Sequence, residues 1–344
     1  MIHPIFDEAA KLAARHAPVS FDTYPAYKAR LANWQQHSGV RNGRPSATYD
    51  GTGTLPFTLA LVPLARHRLV CDRGDAVRDA VLAQHLYRFC TFTEHLELEA
   101  VVPACVQLRL SDVQFAVPNA LARDAGRVAI DETWHAECAG DLKTDLQQVT
   151  GVVPCRSRKP AFLHVLKVMK ASLPPHQQRL ADMLFTCVSE TLITGALNNV
   201  PRDEQVLPRI RDVLGEHARE EAFHHSIFAQ VIGVMWEQLS PADRDVAGPL
   251  FGVLIAAFLR SDTMAELDGL EATGFTADEA RRIVEDSGES DAAENRRLLW
   301  KAASPTVRCM ERHGVLEHAA ARATLEMMDL LRPGADQAEV PRAS

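Results

Sequence analysis

DETWH at residues 131–135 and EHAREEAFHHS at residues 216–226 decide how this chain folds. Each contains a Glu-x-x-His, Glu132 to His135 and Glu221 to His224, and no other glutamate in the sequence has a histidine three residues on. Three residues turn an α-helix through about 300°, so both side chains of such a pair leave one face and reach one cation. A single copy arises easily by chance in a chain with 14 histidines and marks a solvated face. Two copies on separate long helices, each joined by a helix with an inward glutamate, match the plan of a bundle that holds two metal ions.

Outward from these motifs, helical periodicity dominates and no run alternates over several strands, which predicts an all-α chain. Long helices are expected over 75–99, 118–148 and 175–199, and from after Pro201 to 239. Pro103 marks a kink or end of the first, and Pro118 and Ser240-Pro241 open new helices. The four form a ferritin-like four-helix bundle, with its core at 75–240 inside a single domain, 1–344. Residues 1–70 read as short helices at 5–17 and 23–37, then the breaker-rich loop HSGVRNGRPSATYDGTGTLP, a segment that wraps the core. Residues 241–331 read as further helices with breaks at Gly269, Gly274, Gly288 and Gly314, and the polar tail 332–344 reads as disordered.

A formal charge of −8 offers no basic field for a phosphate backbone, so nucleic acid is excluded as a partner. The opening MIHPIFDEAAKLAARHA lacks the apolar centre of a signal peptide, and the longest apolar run, Pro249 to Leu259, is too short for a bilayer. A cytoplasmic protein without a membrane partner is expected. Seven cysteines stand singly, an odd number with no C-x-x-C, which reads as reduced thiols, with Cys90 and Cys187 in the core.

Glu190 lies in VSETLITGAL among apolar and small residues with no basic neighbour within a turn, a costly burial unless a cation meets it. On the first helix TFTEHLELEAVV offers Glu94, Glu97 and Glu99, and periodicity does not separate the first two. His217, Glu221 and His224 fall within a stripe of about 60°, so His217 is either a seventh ligand or an ordinary helix residue like His225 or His318. His313 and Glu317 share a face without matching partners and read as surface. Leu86, Cys90 and Thr93, with Phe89 and Phe92 nearby, form either an apolar approach to Glu97 or plain core.

With DETWH, SETLITGAL at 189–197 and EHAREEAFHHS in place, the chain resembles the AurF-like amine N-oxygenases, di-iron enzymes, over residues 75–240. The shared features are the D-E-x-x-H motif, an E-T after apolar sequence, and H-x-x-x-E-x-x-H with its third histidine; Glu220 departs from the aspartate usual at its place. The resemblance implies Glu97 rather than Glu94, and a ligand set of Glu97, Glu132, His135, Glu190, His217, Glu221 and His224. It also implies that Asp131 and Glu220 hold ligand histidines. Glu132 and Glu221 are expected to bridge, with Glu97 and His135 on one iron and Glu190, His217 and His224 on the other.

Mixed oxygen and imidazole donors suit iron that changes oxidation state, not structural zinc. The implied cofactors are two Fe ions, with O2 as co-substrate and an external electron donor, either a protein or a small reductant. The implied reaction oxidises an amine to a hydroxylamine, nitroso or nitro product in secondary metabolism. The amine is a small molecule, aryl or alkyl, or an amino acid carried on a carrier protein; a homodimer is compatible. Two other readings keep the same ligands: a hydroxylase or desaturase acting on carbon, and ferritin-like iron storage. Storage needs neither the third histidine nor the helices after the bundle.

Overall fold

Gly74, at φ 88°, turns the chain into the first long helix in a conformation that disfavours any side chain. The computed structural model describes residues 27–43, 53–156, 158–288 and 292–332, and among these there is no strand, only an isolated bridge between Leu55 and Val206. Helix α1 runs Asp75–Leu96, passes through a π-helical turn at Glu97–Val101 and continues as α2, Val102–Leu110. Next come α3 (Asn119–Thr150), α4 (Ala161–Ala171), α5 (Pro175–Leu197) and α6 (Pro208–Gln238). The chain continues with α7 (Pro241–Leu259), α8 (Thr263–Ala272), α9 (Ala277–Gly288), α10 (Ala292–Arg312) and α11 (Ala319–Met327).

The all-α, ferritin-like reading holds: α1 with its continuation α2, α3, α5 and α6 pack as the bundle. Helices α7 and α10 lie against α5, α11 against α7, and α8 against α1. Two apolar clusters fill the interior. One contains Leu96, Val128, Val188 and Ile227; the other contains Leu86, Ala139, Leu197 and Leu214. On α3 and α6 the candidate ligands fall between a residue of one cluster and a residue of the other, while Glu97 on the first rod and Glu190 on α5 lie at the edge of the first cluster. The polar site is thus a belt between two cores.

Several local expectations are corrected. The first bundle helix does not end at Pro103. The turn before it widens, with the Val102 N–H bonded back to the Glu97 carbonyl five residues earlier. That wider ring absorbs the hydrogen bond that a proline cannot make. Of the helix expected at 23–37, only Trp34–His37 is helical among the described residues. The backbone N–H groups of Arg30 and Leu31 go instead to the buried carboxylate of Asp124, which also accepts from the Tyr27 hydroxyl.

Gly269 is not a break, since α8 runs through it; its bare Cα lets Gln84 approach, and an added Cβ would lie 3.3 Å from that side chain. The chain breaks earlier, after α7, where the Asp262 carboxylate accepts from the Ala265 N–H and caps α8. The helix expected at 5–17 and the tail from 333 lie outside the described residues. Residues 241–272 have the length and mean hydropathy, 1.3, of a membrane span. Their break at Arg260–Asp262 and their packing on α5 and α11 are those of a two-part helix laid on the bundle.

Candidate metal centre

Helices α3 and α6 run antiparallel, because Asp131 meets His224 while His135 meets Glu220. That alignment brings the two Glu-x-x-His motifs face to face. Glu97, Glu132, Glu190, Glu221 and His224 have no exposed surface, and His135 and His217 are buried. All seven candidates are therefore inside the bundle, although only Glu97, from the π turn, comes from irregular helix. Glu94 goes elsewhere: its carboxylate pairs with Lys143 at a half-buried position between α1 and α3.

Two quartets converge tightly enough for one ion each. Glu132, His135, Glu221 and His224 form the first, and Glu97, Glu132, His217 and Glu221 the second; in each, the ligand atoms lie within 4.8 Å of one another. Glu132 and Glu221 belong to both. Glu190 stands beside the first quartet, its carboxylate 3.9 Å from His224 Nδ1. His217 lies differently from the grouping expected with Glu190 and His224. It stacks on His135 with centroids 3.9 Å apart and bonds Glu221 Oε1 at 3.0 Å. The antiparallel course of α6 explains this, for it puts position 217 level with His135 and position 224 level with Asp131.

Both histidines of the motifs turn the same nitrogen inward. His135 Nε2 bonds Glu220 Oε2 at 2.7 Å, leaving Nδ1 2.7 Å from Glu132 and 3.5 Å from Glu221. His224 Nε2 faces Asp131 Oδ2 at 3.5 Å, leaving Nδ1 2.6 Å from Glu132 and 3.7 Å from Glu221. The acids are exchanged crosswise: α6 supplies the acid that holds the histidine of α3, and α3 the acid that holds the histidine of α6. Such partners fix the tautomer and orientation of a ligand imidazole.

The donor set fits a pair of divalent ions. Both oxygens of Glu97 and of Glu190, one each of Glu132 and Glu221, and both nitrogens of His224 are buried with no partner in hydrogen-bonding geometry. A carboxylate so placed costs several kcal/mol unless a cation meets it. Burial, followed by the carboxylates of Glu132, Glu190 and Glu221, holds the Glu97 carboxyl well above the usual range. Burial with Glu221 and Glu132 does the same to Glu190. Burial opposes charge on His135, but Glu132, Glu220 and Glu221 outweigh it and lift the imidazolium to about 10. Burial and its acidic neighbours act in the same opposed senses on His224, which ends well above its ordinary value. Protons balance these carboxylates, and two divalent cations can take their place.

The expected apolar approach is split. Leu86 is core, while Phe89, Cys90 and Thr93 border a narrow cleft of about 20 Å³ that reaches His135, His217 and Glu220. Phe92 instead packs edge-on to Phe162 and Phe258 beside a separate cavity of about 430 Å³. Three residues at the site have no counterpart in the sequence reading. The indole of Trp34 and the hydroxyl of Ser38 donate to Asp131, and the backbone N–H of Gly39 donates to Glu220.

The chain is 25% identical over 245 residues to the 4-aminobenzoate N-oxygenase of Streptomyces thioluteus, covering 70% of this chain and 71% of that protein. The sequence profile described as p-aminobenzoate N-oxygenase AurF matches residues 31–314, a stretch that takes in Trp34, all seven candidate ligands and helices α7 to α10 after the bundle. A match of that length, over a site of this composition, makes the chain a member of the p-aminobenzoate N-oxygenase AurF family.

Proposed function

We propose that this chain is a di-iron oxygenase that uses O2 and externally supplied electrons to oxidise the nitrogen of an amine. The observation that carries the reading is the pair of overlapping buried quartets that share Glu132 and Glu221, in a member of this family. Glu132 and Glu221, common to both quartets, would serve both ions; His135 and His224, with Glu190 beside them, would complete one, and Glu97 and His217 the other. Four carboxylates and two ferrous ions give a nearly neutral centre, which suits the interior of a bundle.

When bound, the iron pair supplies the redox chemistry by which O2 is reduced and one of its atoms reaches nitrogen. The chain's own part is orientation and exclusion of water. Glu220 and Asp131 keep Nε2 of His135 and His224 engaged, so that Nδ1 of each faces the centre. The two apolar cores on either side keep bulk solvent from the belt.

An aryl amine is the leading substrate class, since the relative from Streptomyces thioluteus is by name an oxygenase of 4-aminobenzoate. Iron-loaded protein, a reductant and ¹⁸O2 should be incubated in turn with aryl amines, alkyl amines and an amino acid on its carrier protein. Mass spectrometry should find the label on nitrogen in one class. Label on carbon alone overturns N-oxygenation while leaving the iron site, and ferric mineral without organic product favours storage.

A further inference from the structure

The segment that runs past the bundle before residue 43 has a stretch, Trp34 to Gly39, that touches both acids behind the ligand histidines. Trp34 Nε1 donates to both oxygens of Asp131, at 2.8 and 2.7 Å, and Ser38 Oγ donates to Oδ1 at 2.7 Å. Two residues' worth of donors therefore hold one carboxylate whose remaining direction is toward His224. Five residues on from the first contact with Asp131, at Gly39, the backbone N–H donates to Glu220 Oε1 at 2.7 Å, and the other oxygen of Glu220 meets His135.

The approach at Gly39 depends on the missing side chain. A Cβ there would come within 2.6 Å of Glu216 Oε1 and 3.1 Å of Trp134 Nε1, so a larger residue requires either that Glu216 swing aside or that this backbone lift from Glu220. The stretch is itself anchored. Arg41 lies over the Trp34 ring with its guanidinium carbon 5.4 Å from the centroid, and Tyr27, Arg30 and Leu31 are tied to Asp124 on α3. Trp34 and Ser38 are almost wholly buried, so their donors have no water to compete with.

We propose that Trp34–Gly39 is a clamp on the metal centre, with Trp34 and Ser38 positioning His224 through Asp131, and Gly39 positioning His135 through Glu220. A carboxylate with no fixed partner rotates, and the imidazole that depends on it turns with it. A carboxylate held on its far side keeps the ligand nitrogen aimed inward. Because both histidines stand in the quartet for one ion in the reading above, on which this inference rests, the two halves of the clamp act on that ion from opposite helices.

The test uses full-length protein loaded anaerobically with ferrous iron, and follows release of iron to a ferrous chelator. Trp34→Phe keeps the ring and removes the donor, and it should speed loss of one iron about 10-fold, in the range usual for a ligand's hydrogen-bonding partner. Ser38→Ala should speed loss of the same iron by a smaller factor. Gly39→Ala should also speed loss of that iron, and the double variant Trp34→Phe/Gly39→Ala should release it faster than either single variant.

Thermal unfolding of the metal-free proteins separates this from simple packing: Trp34→Phe and Ser38→Ala should melt within about 3 °C of wild type. Unchanged iron release with a lower melting point makes the segment a cover and overturns the clamp. Release from the double variant no faster than from the quicker single variant overturns its two halves. Wild-type protein that takes up two irons while all variants release them at its rate overturns the clamp alone. Wild-type protein that takes up none overturns the metal centre and the clamp with it.

Discussion

His135 on α3 and His217 on α6 stack face to face, with ring centroids 3.9 Å apart and planes 30° apart. Burial and the neighbouring imidazole of His135 hold His217 below the usual histidine range, so the ring is a neutral donor. His217→Ala removes that donor and the stacking surface while all four carboxylates remain. The variant is expected to stay helical and to keep part of its iron, yet to lose amine oxidation by at least about 10-fold. Circular dichroism, iron content and single-turnover product analysis on the one protein check this, and wild-type turnover would return His217 to an ordinary helix position.

Glu132→Ala and Glu221→Ala each remove a residue shared by both quartets. Each should bind less than about one iron per chain, where wild type binds about two. Glu94→Ala is the control from the same helix as Glu97. It breaks the pair with Lys143, which is partly exposed, so it should keep both irons and cost no more than about 1 kcal/mol of stability. Metal analysis of the three proteins decides between the ligand set and a mere acidic interior.

Iron uptake should release protons. The groups raised above their unfolded values are Glu97, Glu190, His135 and His224, so the metal-free folded protein holds protons there that the unfolded chain has lost. Stability from such groups is complete below the unfolded pKa and fades as pH climbs toward the folded one, a window that for His135 extends from about 6.5 to about 10. Metal-free protein should therefore lose stability as pH rises through neutrality. Ferrous ion should bind more tightly over the same rise and expel more than one proton per chain. Calorimetry in buffers of different ionisation enthalpy measures the count, and binding without proton release would contradict these pKa directions.

Glu190→Gln should dissociate stability from metal binding. Glu190 is buried beside the carboxylates of Glu221 and Glu132, which keep it protonated without metal, so a neutral amide there stands in for the neutral acid. The metal-free variant is expected to melt no lower than wild type. Added ferrous or zinc ion should raise the wild-type melting point, by an amount equivalent to about 2.7 kcal/mol at a hundredfold excess over the dissociation constant. The variant should gain less. Equal gains would remove Glu190 from the ligand set.

The two Glu-x-x-His pairs were legible because helical period converts spacing along the chain into a direction in space, and the two motifs state that direction twice; Glu190 stood out by its apolar surroundings, and Glu97 and His217 were singled out by the family resemblance. Glu94 and Glu97 could not be told apart by helical period. What separates them is a lysine some fifty positions away on α3 and a π turn that begins at Glu97, neither of which has a local signature. The side of the site on which His217 lies depends on the antiparallel course of α3 and α6, again a fact of tertiary packing. Trp34, Ser38 and Gly39 were missed for a related reason. Their work is done by an indole N–H, a hydroxyl and a backbone N–H that reach acids far along the chain, and a backbone donor leaves no trace in residue type. Asp124 shows the converse, since its buried carboxylate takes the N–H groups that a helix at 27–33 would have needed.

The π turn at Glu97–Val101 inserts one surplus residue into an otherwise regular rod. Everything before it and everything after it is consequently phased about 100° apart from where an unbroken helix would put it. Rewound as plain α-helix with the same residues, the rod could seat the residues around Cys90 or those around Cys105 in their cores, but not both, and Glu97, at the junction, would be drawn from its place beside Glu132. A local gain in backbone regularity would thus cost the chain its first carboxylate, which makes the irregular turn an alignment device between the two apolar cores.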